Sequence, residues 1–162
     1  MESRNHEPPN DGSEPARDSR HRVLVAVHVI VEAEATGNVL LLRRKNTGFM
    51  DGHLSLPSGH LEADETLVDA AVRELYEETG IVASPAALAL HALAHRRYPT
   101  REYLHVFFRA TAWEGTPHNA EPAKCDGVAF YVMTPPPPDM IPYEREALEA
   151  ARGSVLVFAH DA

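Results

Sequence analysis

Residues 59–81 read GHLEADETLVDAAVRELYEETGI, the most strongly patterned stretch of the chain. Glu65 to Thr79 predicts a helix, and Gly80 ends it, because glycine takes the left-handed C-terminal conformation at little cost. At about 100° per residue, Glu74, Glu77 and Glu78 share a narrow sector of that helix. Val68, Val72 and Leu75 fall on an adjacent sector that can face a core. Three carboxylates therefore line the edge of a buried face. Glu74 and Glu78 repel as an i,i+4 like-charge pair, at roughly a few tenths of a kcal/mol in a bare helix. Such a cluster suits a hard divalent cation, which takes several oxygen ligands. An acidic face that merely meets solvent would explain the glutamates, but not the glycines and the arginine spaced around them.

That spacing is specific. Gly59, Glu65, Arg73, Glu74, Leu75, Glu77, Glu78, Gly80 and Ile81 fill the pattern G-x5-E-x7-R-E-U-x-E-E-x-G-U without a departure, where U is a bulky apolar residue. The stretch resembles the signature of the Nudix hydrolases. The resemblance implies an α+β fold in which a mixed β-sheet is sandwiched between α-helices. It implies Mg²⁺ or Mn²⁺ held by Glu74, Glu77 and Glu78, with Arg73 pairing with Glu65 to orient the catalytic helix. Gly59, Glu65 and Gly80 are its structural positions. The chemistry implied is attack of water on phosphorus in a nucleotide diphosphate linkage.

Working outward, Leu56-Pro57-Ser58-Gly59 is similar to the L-P-G-G of many relatives, which assigns the Ser58 carbonyl to the metal. Trp113-Glu114-Gly115-Thr116-Pro117-His118-Asn119-Ala120-Glu121 is similar to a loop of the mutator pyrophosphohydrolase (MutT-like) branch, which makes Glu121 a fourth acid for metal or water. Glu114 and Asp126 are its nearest rivals. Arg43 and Arg44 close a Val39–Leu42 strand, and the same likeness assigns one of them to substrate phosphate, for which a planar guanidinium fork is suited. Tyr143 stands where that branch reads its base, and its ring can stack on a base.

The remaining pattern is mixed. Strands are expected over Val23–Val31, Val39–Leu42, His53–Leu56, Leu88–His95, Glu102–Trp113, Gly127–Met133 and Val155–Phe158, and a second helix over Tyr143–Arg152. The 162 residues fit one domain, 22–162, behind a polar segment, 1–21, expected to be a disordered tail without the apolar core of a signal peptide. A single cysteine, Cys125, excludes an internal disulfide, and no apolar run is long enough to span a bilayer. A cytoplasmic monomer or homodimer is expected. The net charge of −9 argues against long nucleic acid as a partner and leaves a small nucleotide bridged by metal. The ten histidines show no zinc-ligand arrangement with cysteines. The expected reaction converts a nucleoside triphosphate to the monophosphate and pyrophosphate. The alternatives are hydrolysis of ADP-ribose or a nucleoside diphosphate sugar, and a non-catalytic nucleotide-binding module.

Overall fold

A computed structural model of the chain describes residues 21–158. The tail expected over 1–21 therefore lies outside the described residues, except for His21, whose Nε2 is 3.0 Å from the Glu102 carboxylate. Eight strands and two helices follow in the order β1 (Leu24–Ile30), β2 (Val39–Arg44), β3 (Leu54–Ser55), β4 (Ser58–His60), α1 (Leu67–Thr79), β5 (Leu88–Arg97), β6 (Glu102–Ala110), β7 (Cys125–Tyr131), α2 (Pro142–Glu149) and β8 (Ser154–Phe158). A 3₁₀ turn, Pro85–Ala87, leads into β5.

The strands divide between two sheets. One holds five strands in the order β4-β1-β6-β5-β8, the other three in the order β3-β2-β7. The larger sheet is mixed: β1 runs parallel to β6 and β5 parallel to β8, whereas β4 and β5 meet their partners β1 and β6 antiparallel. Alternation along its strands gives it two faces. Val27 and Val29 of β1, and Val31 just after it, pack with Val106 and Phe108 against Ala70, Ala71 and Leu75 of α1. Ile30 and Phe107 belong to a second cluster that includes Tyr143 and Ala147 of α2. One apolar Val-rich run thus serves two cores, and the sheet lies between the helices.

Helix α1 starts two residues later than its periodicity suggests. Thr66 is the N-cap: its Oγ1 accepts from the Asp69 N–H at 3.2 Å, and Asp69 Oδ2 accepts from the Thr66 N–H at 3.3 Å. Glu65 is used outside the helix, accepting from the Glu62 N–H at 2.7 Å. Gly80 closes the helix at φ 71°, its N–H bonded to the Tyr76 carbonyl. Thr66→Ala removes one side of this cap and is expected to cost about 1 kcal/mol, read as a fall of roughly 3 °C in Tm. Among the described residues no helix is long and apolar enough to cross a membrane.

Candidate active site

The signature residues assemble around one guanidinium. Arg73 grips Glu65 with two parallel bonds, Nε to Oε2 at 3.0 Å and Nη2 to Oε1 at 2.7 Å. Its Nη1 donates to Glu74 at 2.7 Å and to Glu77 at 3.2 Å, and Nη2 also reaches the His60 carbonyl at 3.1 Å. One side chain so ties the loop before α1, the end of β4 and the acidic face of α1 together. These bonds, above all that to Glu65, raise the Arg73 pKa, and Arg73 in turn holds the Glu65 carboxyl below its ordinary range. Beneath Glu74 runs Gly59, paired with Val27 of β1. A Cβ at Gly59 would overlap the Glu74 carboxylate, so only glycine lets strand and side chain meet.

Glu78 Oε2 accepts from the Ser58 N–H at 2.8 Å. Burial pushes the Glu78 carboxyl up to about 8 against the pull of that hydrogen bond, and repulsion from Glu74 and Glu121 adds to the rise. Glu74 is also raised, first by burial, with Arg73 opposing. Glu121 reaches this wall because its loop satisfies the last carbonyls of α1: the His118 N–H donates to Thr79 at 3.0 Å and the Ala120 N–H to Glu78 at 3.2 Å. The Glu121 carboxylate accepts from Lys124 Nζ at 3.0 Å. Its two rivals sit elsewhere. Glu114 pairs through its backbone with Val82, and Asp126 pairs with Lys45 at 2.9 Å.

Glu74, Glu78, Glu121, Ser58, Arg44 and Tyr143 all line one cavity of about 650 Å³. Glu77 does not; its side chain is half exposed, on the outer side of Arg73. Arg43 does not either. Its Nη1 donates to the Gly52 carbonyl at 2.6 Å and to Asp139 at 2.8 Å, away from the cavity lining. Arg44 is held at the cavity by Nε to the Phe49 carbonyl and Nη2 to Thr47 Oγ1, both 2.9 Å. Tyr143 is buried, with the Arg96 guanidinium 4.3 Å over its ring and the His105 ring 4.7 Å away.

The cavity also contains residues that sequence reasoning passed over. Tyr98, Arg101 and Tyr103 come from the β5–β6 hairpin, and His28 and His105 from β1 and β6. The histidine that interrupts the apolar run of β1 was the one available signal for the last pair.

The donor set has the chemistry of a hard-cation site: three carboxylates on one half-buried wall, two of them raised in pKa partly by mutual repulsion, which a divalent ion would relieve. As the side chains stand, no three His, Cys, Asp or Glu groups among the described residues are close enough to share a metal. Arg73 accounts for part of this, since it occupies Glu74 and Glu77.

A family model of the NUDIX domain matches residues 22–151. The chain belongs to the Nudix hydrolase family. Among solved structures, the fold is shared with a MutT NUDIX hydrolase from Burkholderia pseudomallei (TM-score 0.71, 23% identity, 80% of this chain and 98% of that one). A NUDIX hydrolase from Nitrosomonas europaea is also similar (TM-score 0.66, 22% identity, 86% and 81%). At these identities the Nudix likeness is one of fold. A curated relative, Phosphatase NudJ of Escherichia coli strain K12, is 51% identical over 61 residues, which are 38% of this chain and 37% of the relative. The match thus spans little more than a third of that protein's length.

Proposed function

We propose that this Nudix protein is a pyrophosphohydrolase of nucleoside triphosphates, releasing the monophosphate and pyrophosphate. The observation that carries the reading is the cavity, which combines Glu74, Glu78 and Glu121 with Arg44 and the partly exposed rings of Phe49, Tyr98 and Tyr103. The carboxylates and the Ser58 carbonyl are the groups that would hold Mg²⁺ or Mn²⁺, and Glu77 joins them when its carboxylate leaves Arg73. When bound, such an ion supplies charge neutralisation on the diphosphate and a more acidic water. Arg44 presents its planar fork to phosphate oxygens. Glu121 takes the proton from the attacking water, and the leaving pyrophosphate departs with the bridging oxygen. Tyr143, already packed against Arg96 and His105, supports the cavity wall, while the partly exposed rings offer faces for a base.

The test is kcat/KM for 8-oxo-dGTP, dGTP, dCTP, ADP-ribose and UDP-glucose under one Mg²⁺ condition, with products identified by mass. A triphosphate should lead, with pyrophosphate as product and modest discrimination between bases. A win for ADP-ribose or UDP-glucose replaces the triphosphate reading, and binding without turnover replaces the enzymatic one. The name of the curated relative supports a second reading, a phosphatase, which orthophosphate as the first product would establish.

The two neighbouring arginines should separate in the same assay. Arg44→Ala is expected to raise KM about tenfold, roughly 1.4 kcal/mol of binding. Arg43→Ala should leave KM within about twofold, because Arg43 is engaged with Gly52 and Asp139. Equal effects on KM would remove the assignment of Arg44 to phosphate.

A further inference from the structure

Beside the carboxylate wall, three ionisable side chains from different elements form a buried line. Glu144 of α2, His28 of β1 and His105 of β6 are 1%, 2% and 5% exposed. His28 Nε2 and His105 Nδ1 share a hydrogen bond of 2.8 Å. The other nitrogen of His28, Nδ1, is 3.3 Å from Glu144 Oε1, facing the carboxylate but off the line of a hydrogen bond. Glu144 is itself fixed: its Oε2 accepts from the Leu56 N–H at 2.7 Å and its Oε1 faces the Tyr143 hydroxyl at 3.5 Å. The His28 ring stacks on Phe107 at 4.5 Å, so its orientation is set by packing as well. At the far end, His105 Nε2 is buried with no hydrogen-bond partner, and both histidines line the substrate cavity.

With both imidazoles neutral, each ring has one N–H and one bare nitrogen, and the pair then has two consistent arrangements. In one, His105 donates to His28, the His28 N–H faces the Glu144 carboxylate, and His105 Nε2 is a bare acceptor. In the other, a bare His28 Nδ1 faces the carboxylate, lone pair against lone pair, and His105 Nε2 carries a proton. With both Glu144 oxygens placed to accept, the carboxylate selects the first. Burial, His28, Arg96 and His60 hold His105 far below the ordinary histidine range, at about 2, so its ring is neutral. A buried polar atom without a partner in a cavity wall marks a place where a ligand group completes the bond.

We propose that Glu144 and His28 are positioning residues that fix His105 Nε2 as a hydrogen-bond acceptor in the cavity, where it selects substrates by an N–H or O–H donor on the base or sugar. The selection rests on the nucleotide reading above; the tautomer line does not. Nothing in the Nudix signature includes these three residues.

Long-range ¹H–¹⁵N correlation on the full-length protein labelled at histidine reads the tautomers directly, without substrate. His105 Nε2 should appear unprotonated in the wild type. In Glu144→Gln, whose amide can donate to His28 Nδ1 while its carbonyl accepts from Leu56, the line should reverse and Nε2 should appear protonated. A protonated Nε2 in the wild type overturns the proposal whatever the kinetics show. For the best substrate of the panel, Glu144→Gln and the similarly sized His105→Phe should each raise KM about tenfold with kcat within about twofold. The expected tautomers with KM unmoved in both variants would assign Nε2 to a buried water and overturn its role in selection. The expected tautomers with no turnover of any nucleotide would uphold the line and overturn the function proposed above. If Glu144→Gln does not fold, the wild-type spectrum and His105→Phe still decide both parts.

Discussion

Glu78→Gln is expected to lower turnover about 10³-fold, roughly 4 kcal/mol in activation free energy, and to raise thermal stability in chelator. Both effects have one cause. Without metal, the Glu78 carboxyl titrates near 8, against an ordinary value of 4.5, because burial and the neighbouring carboxylates disfavour its charge. Between those two values the folded state binds more protons than the unfolded state. Stability in chelator therefore falls as pH rises through that window, and the full penalty is present above about 8. Glutamine cannot ionise, so the variant should lose this slope and exceed the wild type at pH 9 by about 2 kcal/mol, a value set below the full shift because the wall opens to solvent. Glutamine can still accept the Ser58 N–H through its carbonyl, so the β4–α1 contact survives. Glu77→Gln is the control: it should lose turnover too but leave stability level, since Glu77 is half exposed. Melting curves in chelator across pH, with rates in Mg²⁺, check both. Near-wild-type rates in both variants would remove these residues from the metal site.

Much of this site was legible because its residues are close in sequence. A helix places Glu74 and Glu78 on one side by its period alone, and Gly80 marks its end. The start shifted to Thr66 because side-chain capping, not periodicity, sets where the first turn begins. The β4 strand was not legible: Ser58–His60 is three residues long, follows a proline and has no apolar alternation, so it exists only through its pairing with β1. Arg43 and Arg44 could not be told apart for a related reason. Adjacent strand residues point to opposite faces, and the register against β7 decides which one meets the cavity. The His28–His105 pair is 77 residues apart and depends on the parallel β1–β6 register, which leaves no trace in either strand alone. Tyr143, expected to stack on a base, lines the cavity but is buried, and its packing against Arg96 is a tertiary fact that neither residue shows in sequence.

Gly59→Ala is expected to keep the fold and lose about 100-fold in turnover, roughly 2.7 kcal/mol, together with affinity for divalent cations. The β4 backbone at Gly59 is held by its antiparallel pairing with β1, so the strand cannot move away from a new methyl group. The Glu74 side chain can, because a carboxylate at the end of two methylenes rotates more readily than a sheet shifts. Its move breaks the 2.7 Å bond from Arg73, at a cost of about 1–2 kcal/mol that melting should register as a modest fall in Tm. The larger consequence is to the wall. Glu74 leaves the position from which it repels Glu78, so the Glu78 carboxyl should shift back toward the ordinary range in the variant. Calorimetric titration with Mn²⁺ should show the affinity falling while the far-ultraviolet spectrum stays that of the wild type. Retained affinity and rate would mean that Glu74 serves equally well from its displaced position, and the close approach of Gly59 would then be a packing feature of β4 alone. Loss of the folded spectrum would place the contact in the core instead of the site.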